Sequence, residues 1–128
     1  MISQISAIIA SVILLGLMIF QFLLIIGRPL GRYAWGGQHE VLPSSYRVGS
    51  AVAIFIYAAT MVILLDSAGL SAVISNSVIV EYGIWVLVIY FLLGIPLNAI
   101  SRSKSERSVM TPIVTLLFVL TLIVAVAS

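Results

Sequence analysis

The sequence has no cysteine, one histidine and very few charged residues. The lack of cysteine excludes disulfide bonds, thiol nucleophiles and thiolate metal sites. Only 8% of the 128 residues are charged and 62% are hydrophobic, whereas about 25% of the residues of a typical soluble domain carry a charge. A chain with so little charge cannot cover the surface of a soluble fold. The composition therefore predicts an integral membrane protein.

The small excess of basic residues gives a net charge of +2 and a pI of about 9.3. In a soluble protein this balance would suggest an anionic partner. In a membrane protein, lysine and arginine more often mark the cytoplasmic loops and so determine topology. We therefore expect the lipid bilayer as the surroundings of this chain and no nucleic-acid partner.

Four long apolar segments predict an all-α fold, a bundle of four transmembrane helices in one domain spanning residues 1–128. The helices are expected at about 5–26, 48–66, 78–100 and 109–128, each close to the roughly 20 residues that cross a bilayer core of roughly 30 Å. Two signals compete for the start of the fourth helix. Ser103 and Glu106 fit an S-x-x-E capping box, and Thr111 followed by Pro112 is typical of a first helical turn.

All lysine and arginine residues fall in the first and third connections, at 27–47 and 101–108. The positive-inside rule places both connections in the cytoplasm and, with four spans, both termini outside. This distribution predicts an N-out/C-out protein made of two helical hairpins. The six residues are Arg28, Arg32, Arg47, Arg102, Lys104 and Arg107.

The first connection, part of the segment GRPLGRYAWGGQHEVLPSSYRVGS, is the longest polar stretch. Its aromatic residues suit the membrane interface, and its composition is not that of a disordered segment, so we expect an ordered loop packed against the helix ends. Its candidate interaction residues are Trp35, His39, Glu40 and Arg47. His39 and Glu40 do not form a metal-ligand set, since a site needs three or four convergent groups. We expect Glu40 to pair with an arginine at position 28, 32 or 47.

Three polar residues are predicted within the membrane: Gln21, Tyr57 and Asn98. An amide in hydrocarbon favours a hydrogen bond to a neighbouring helix, so Gln21 should face protein, with Tyr57 as one possible partner. Asn98 lies close to Pro96, where it either fixes the end of the third helix or forms a binding site with a freed carbonyl group. Gly49 and Ala53 have the small-xxx-small spacing of a helix-packing face.

Two groups of residues resemble a family of small four-span bacterial membrane proteins of unassigned function. The first is AWGGQHEVLP, followed by Arg47 and Gly49-Ser50. The second comprises Asn98, Ser101, Ser103, Glu106-Arg107 and Pro112. The resemblance covers nearly the whole chain and implies a bacterial plasma-membrane (inner-membrane) location, with no known activity. Small multidrug exporters differ, because they carry a glutamate in their first helix, where this chain has only Gln21.

These observations favour a non-enzymatic accessory protein that binds a lipid or a membrane-protein partner through its cytoplasmic loops. The alternative is an oligomeric transporter or channel for a small solute or ion, which the lack of ionisable groups deep in the spans disfavours. A third hypothesis is an enzyme that uses His39 and Glu40 at the membrane surface on a lipid or isoprenoid substrate, but the sequence does not offer a complete set of nucleophile, base and orienting group. No catalytic, cofactor-binding or metal-binding residue is predicted.

Overall fold

The computed structural model describes residues 1–127 and contains four long helices, with no strand among these residues. The helices are α1 (Ile2–Ile25), α2 (Ser44–Ser67), α3 (Ser77–Ala99) and α4 (Lys104–Ala127). Two short 3-10 turns, Gly31–Tyr33 and Trp35–Gly37, lie between α1 and α2. All four helices are long and apolar enough to cross a membrane. The predicted four-helix transmembrane fold is confirmed.

The helices form two hairpins, α1 with α2 and α3 with α4, which join mainly where α1 packs against α4. Contact between α2 and α3 is less extensive. A buried layer across the middle of the bundle includes Leu14, Phe91 and Leu117. One end of the bundle, called here the cap end, consists of residues 26–43 and 100–103. The opposite end contains the connection between α2 and α3 and the first residues of α1.

Large apolar side chains cover the outside of the bundle. Phe55 is 77% exposed, Ile89 56% and Val86 63%, and less than a third of the most apolar window of each helix is buried. In water such a surface would aggregate, whereas in a bilayer it contacts lipid chains. The chain is therefore a multi-pass membrane protein.

Helix α4 begins at Lys104, five residues before the predicted start at 109. The Ser103 hydroxyl accepts a hydrogen bond from the Glu106 backbone N–H at 3.2 Å, which is the capping interaction that the S-x-x-E pattern predicts. Thr111 and Pro112 lie inside the helix. The earlier start gives α4 24 residues to Ala127, enough to cross the bilayer. The predicted end at Ser128 lies outside the described residues.

Helix α2 begins at Ser44, although the sequence suggested about residue 48. The Pro43 carbonyl oxygen accepts hydrogen bonds from the N–H groups of Tyr46 at 3.0 Å and Arg47 at 3.1 Å, so the first turn forms directly after the proline. Arg47 is consequently a helical residue and not part of the loop. Helices α1 and α3 begin and end within three residues of their predicted bounds. Asn76 caps α3 by accepting from Val78 and Ile79, as its side-chain chemistry predicts.

Replacing Ser103 by alanine should lower the free energy of unfolding by about 1–2 kcal/mol. The change removes the cap on the Glu106 N–H and a second hydrogen bond, which the Ser103 hydroxyl donates to the Arg32 carbonyl oxygen. Thermal unfolding in micelles, followed by circular dichroism, measures the loss. Ser108→Ala is the matched control, because the exposed Ser108 hydroxyl donates only to Ser105 of its own helix. Equal melting temperatures for the two variants would contradict the capping role.

Candidate functional site

The loop between α1 and α2 forms an ordered cap that is closed by a backbone crossing. The Gly31 N–H donates to the Glu40 carbonyl oxygen at 2.8 Å, which joins the two sides of the loop. A Cβ atom on Gly31 would lie 1.7 Å from the His39 carbonyl oxygen, so only glycine permits this approach. The Ser103 side chain attaches the same loop to the start of α4.

Arg47 attaches the cap to the first turn of α2. Its Nε donates to the Leu42 carbonyl oxygen at 2.7 Å, and its guanidinium group lies beside Gly27, where a Cβ atom would be 3.2 Å from one Nη. Leu42 is buried with Leu24 and Ala34 in a small apolar cluster under the loop. The half-buried Arg47 is therefore a structural part of the cap.

The expected ion pair between Glu40 and an arginine is not found among residues 1–127. Glu40 is exposed, while Arg47 is directed towards the Leu42 carbonyl group and Arg32 lies over the Tyr33 ring at 4.9 Å. His39 is half-buried and packs on the Tyr46 ring, with 5.3 Å between the ring centroids. Ring contacts thus engage Arg32 and His39, and a backbone oxygen engages Arg47.

Trp35 occupies a strained backbone position over the first turns of α2. Its φ of 53° is followed by 71° at Gly36 and 73° at Gly37, and the left-handed region is uncommon for a bulky residue. The indole contacts the Tyr46 ring at a centroid distance of 5.1 Å. It also lies on Gly49, where a Cβ atom would be 2.7 Å from a ring carbon. Gly49 therefore receives the indole, and the helix-packing role of the Gly49 and Ala53 spacing stays a prediction.

A cavity of about 250 Å³ lies beneath Trp35 and brings the predicted intramembrane polar residues together. Gln21 of α1, Tyr57 of α2 and Asn98 of α3 all line it, although they are far apart in the sequence. Glu106 of α4 also lines this cavity and adds a carboxylate that was not predicted there. We call this space the polar cavity. Its other lining residues are Leu17, Phe20, Tyr33, Ala34, Gly49, Val52, Ala53, Ile56 and Met110.

The polar groups of this cavity are partly hydrogen-bonded. Gln21 and Tyr57, which the sequence suggested as possible partners, line the same cavity. Asn98 Nδ2 donates to the Gly94 carbonyl oxygen at 2.8 Å, which leaves Oδ1 as its acceptor atom. Glu106 accepts a hydrogen bond from the Ser101 hydroxyl through one carboxylate oxygen. From the sequence, Glu106 was interpreted as part of a helix-capping pattern. Its position in the cavity was therefore not predicted.

A second cavity of about 340 Å³ continues along α3 and shares Leu17, Tyr57, Asn98 and Met110 with the polar cavity. It is called here the apolar cavity, because most of its remaining lining is aliphatic or aromatic. Exposed residues of both α2 and α3 stand around the two cavities. These are Val52, Ile56, Tyr90, Leu93 and Leu97. The two cavities therefore open towards lipid between α2 and α3, where these helices make little contact.

The opposite end has a cavity of about 470 Å³ that contains the carboxylates of Asp66 and Glu81. Asp66 is used to order the adjacent loop, because it accepts hydrogen bonds from the Ser71 hydroxyl and from the N–H groups of Val73 and Ile74. Within residues 1–127 no three histidine or acidic side chains come together as metal ligands. The polar cavity at the cap end is therefore the stronger candidate site.

Comparisons with protein-family models, with curated proteins and with solved structures found no match to this chain. The resemblance to small bacterial four-span proteins stays a prediction. The geometry and the charge of the cap and its cavities are therefore the basis for a functional proposal.

A Gly49→Ala substitution should displace Trp35 from α2, because the new methyl group would overlap the indole. In a Trp85→Phe background, Trp35 is the only tryptophan and its fluorescence reports the change. We expect a shifted emission maximum and faster quenching by iodide. Gly16→Ala is the control, since no atom lies within 4 Å of its Cβ position. Unchanged emission in Gly49→Ala would show that the indole does not rest on α2.

Proposed function

We propose that this chain is a non-enzymatic accessory protein of the bacterial plasma membrane and that its cap end binds anionic lipid headgroups. The observation that carries the proposal is the concentration of basic side chains around an ordered, aromatic cap. The cap end and the adjoining first turns of α2 and α4 together contain all six lysine and arginine residues but only two acids, Glu40 and Glu106, a formal charge of +4. Asp66 and Glu81 leave the opposite end with −2.

Most of this positive charge is available to a headgroup. Arg28, Arg32, Arg102, Lys104 and Arg107 are exposed, and only Arg47 is half-buried. A basic residue close to an anionic membrane surface contributes roughly 1 kcal/mol of attraction. Several such residues at one level can therefore enrich anionic lipid around the cap without a deep pocket.

The cap also exposes apolar groups at the level where headgroups meet hydrocarbon. Trp35 is 46% exposed, Val41 47% and Ile26 51%. Aromatic rings favour this interface, and the basic side chains extend from the same end. Because the Gly31 crossing and Arg47 hold the loop in one conformation, binding requires little ordering of the chain.

The transporter hypothesis receives less support from the packing. Leu14, Phe91 and Leu117 are buried across the middle of the bundle and separate the polar cavity from the opposite end. A solute would have to pass this apolar layer. A binding role at the cap end needs no such passage, and the predicted topology would put the cap in the cytoplasm, the side with anionic lipid.

The proposal predicts selective retention of phosphatidylglycerol over phosphatidylcholine. Protein in nanodiscs containing equal amounts of the two lipids is released and analysed by native mass spectrometry. Wild type should carry phosphatidylglycerol in excess, and the combined variant Arg28→Gln, Arg102→Gln and Lys104→Gln should reduce this excess at least about fivefold, because three charges are lost. The excess should also fall as salt is raised.

The matched control exchanges the same three residues for Lys, Lys and Arg, respectively, which keeps the charge. It should retain phosphatidylglycerol as wild type does. Equal retention of the two lipids by wild type would contradict the proposal. A stoichiometric protein companion in place of lipid would also overturn it and would favour a membrane-protein partner or a homo-oligomer.

A further inference from the structure

We propose that the polar and apolar cavities together form a binding site for a cationic amphiphile that enters from the bilayer between α2 and α3. Its amine or quaternary ammonium group would occupy the polar cavity beneath Trp35, and its hydrocarbon chain the apolar cavity. This site is distinct from the basic outer surface of the cap. Its ligand has the opposite charge to the lipids that the outer surface would attract.

The sign of the ligand follows from the charged groups of the lining. Among residues 1–127, Glu106 is the one acidic side chain that lines the two cavities, and no lysine or arginine lines either of them. The nearby bases are directed elsewhere: Arg32 to the Tyr33 ring, Arg47 to the Leu42 carbonyl group and Arg107 to the Ser101 carbonyl group at 3.1 Å. A cation would therefore meet an attractive carboxylate and no opposing charge inside.

The hydrogen bonds and rings of the lining also suit a cation. One hydroxyl group, that of Ser101, donates to the Glu106 carboxylate, and Asn98 keeps Oδ1 as an acceptor because its Nδ2 donates to the Gly94 carbonyl oxygen. Aromatic rings attract cations through their faces, and Trp is the most effective of them. Four aromatic residues line the polar cavity: Phe20, Tyr33, Trp35 and Tyr57. Arg32 over Tyr33 is the same kind of contact, made within the protein.

The apolar cavity explains why the ligand should be an amphiphile and not a small soluble cation. It adjoins the polar cavity through four shared residues, and its lining also includes Phe91 and Leu117 of the buried middle layer. Its rim is exposed to lipid along Tyr90, Leu93 and Leu97. A hydrocarbon chain can enter sideways and bury apolar surface while the ammonium group stays at the level of Glu106.

Binding of dodecyltrimethylammonium to the protein in phosphatidylcholine nanodiscs tests this inference. Radiolabelled probe should bind wild type saturably, at one site per chain, above the partitioning into empty nanodiscs. Glu106→Gln should weaken binding at least about tenfold, because a charge-assisted interaction is lost while glutamine can still accept from the Ser101 hydroxyl. Glu40→Gln is the matched control, since this exposed carboxylate lies outside the cavity, and it should change the affinity less than twofold.

A second pair of variants tests the location independently of Glu106. Ala53→Leu places a larger side chain in the polar cavity and should abolish saturable binding, whereas Ala59→Leu on the exposed face of the same helix should have no effect. Dodecyl phosphate should not compete. The inference is overturned if wild-type binding equals that of empty nanodiscs, if the two glutamine variants weaken binding equally, or if dodecyl phosphate displaces the probe. Phosphatidylglycerol retention is measured separately, so either proposal can fail alone.

Discussion

The close backbone approach at Gly31 is the constraint on which the cap end depends. No other residue type could lie this near the His39 carbonyl group, and the resulting hydrogen bond to Glu40 converts a long connection into a closed unit. Ser103 then attaches this unit to the second hairpin. Because the loop between α1 and α2 is hydrogen-bonded to Ser103 at the start of α4, the position of Trp35 over α2 depends on the packing of both hairpins. A flexible loop of the same composition could not cover a cavity.

The cavities themselves result from uneven helix packing. Hydrogen bonds within each helix satisfy its backbone, so the membrane requires no particular contact between neighbouring helices. The hairpins join chiefly through α1 and α4, and α2 meets α3 closely near the opposite end, where Ile63 lies against Gly83. Towards the cap end the same two helices leave space. Polar side chains from all four helices line this space.

The sequence predicted the parts of this structure that depend on local chemistry. Apolar run length identified four spans, and the capping box was one of two starts foreseen for α4. The crossing at Gly31 and the left-handed conformation of Trp35 were not predictable, because both depend on residues that come together only in the folded bundle. The convergence of Gln21, Tyr57 and Asn98 needed the same information. Each was recognised as polar within a span, but sequence spacing could not show that they share one cavity.

The lack of an ion pair at Glu106 is the strongest reason to propose a function for the polar cavity. Six basic residues lie at this end of the molecule, and two of them, Lys104 and Arg107, belong to the same helical turns. Nevertheless, within residues 1–127 Glu106 accepts a hydrogen bond from Ser101 and forms no ion pair. A carboxylate at the edge of hydrocarbon is costly unless it is paired, and a small rearrangement of a long basic side chain could supply a partner. Charged groups that lack the partner expected from their surroundings are concentrated at functional sites, where a ligand can supply that partner. Five of the six bases are exposed, whereas Glu106, which forms no ion pair with any of them within residues 1–127, lines a cavity open to lipid.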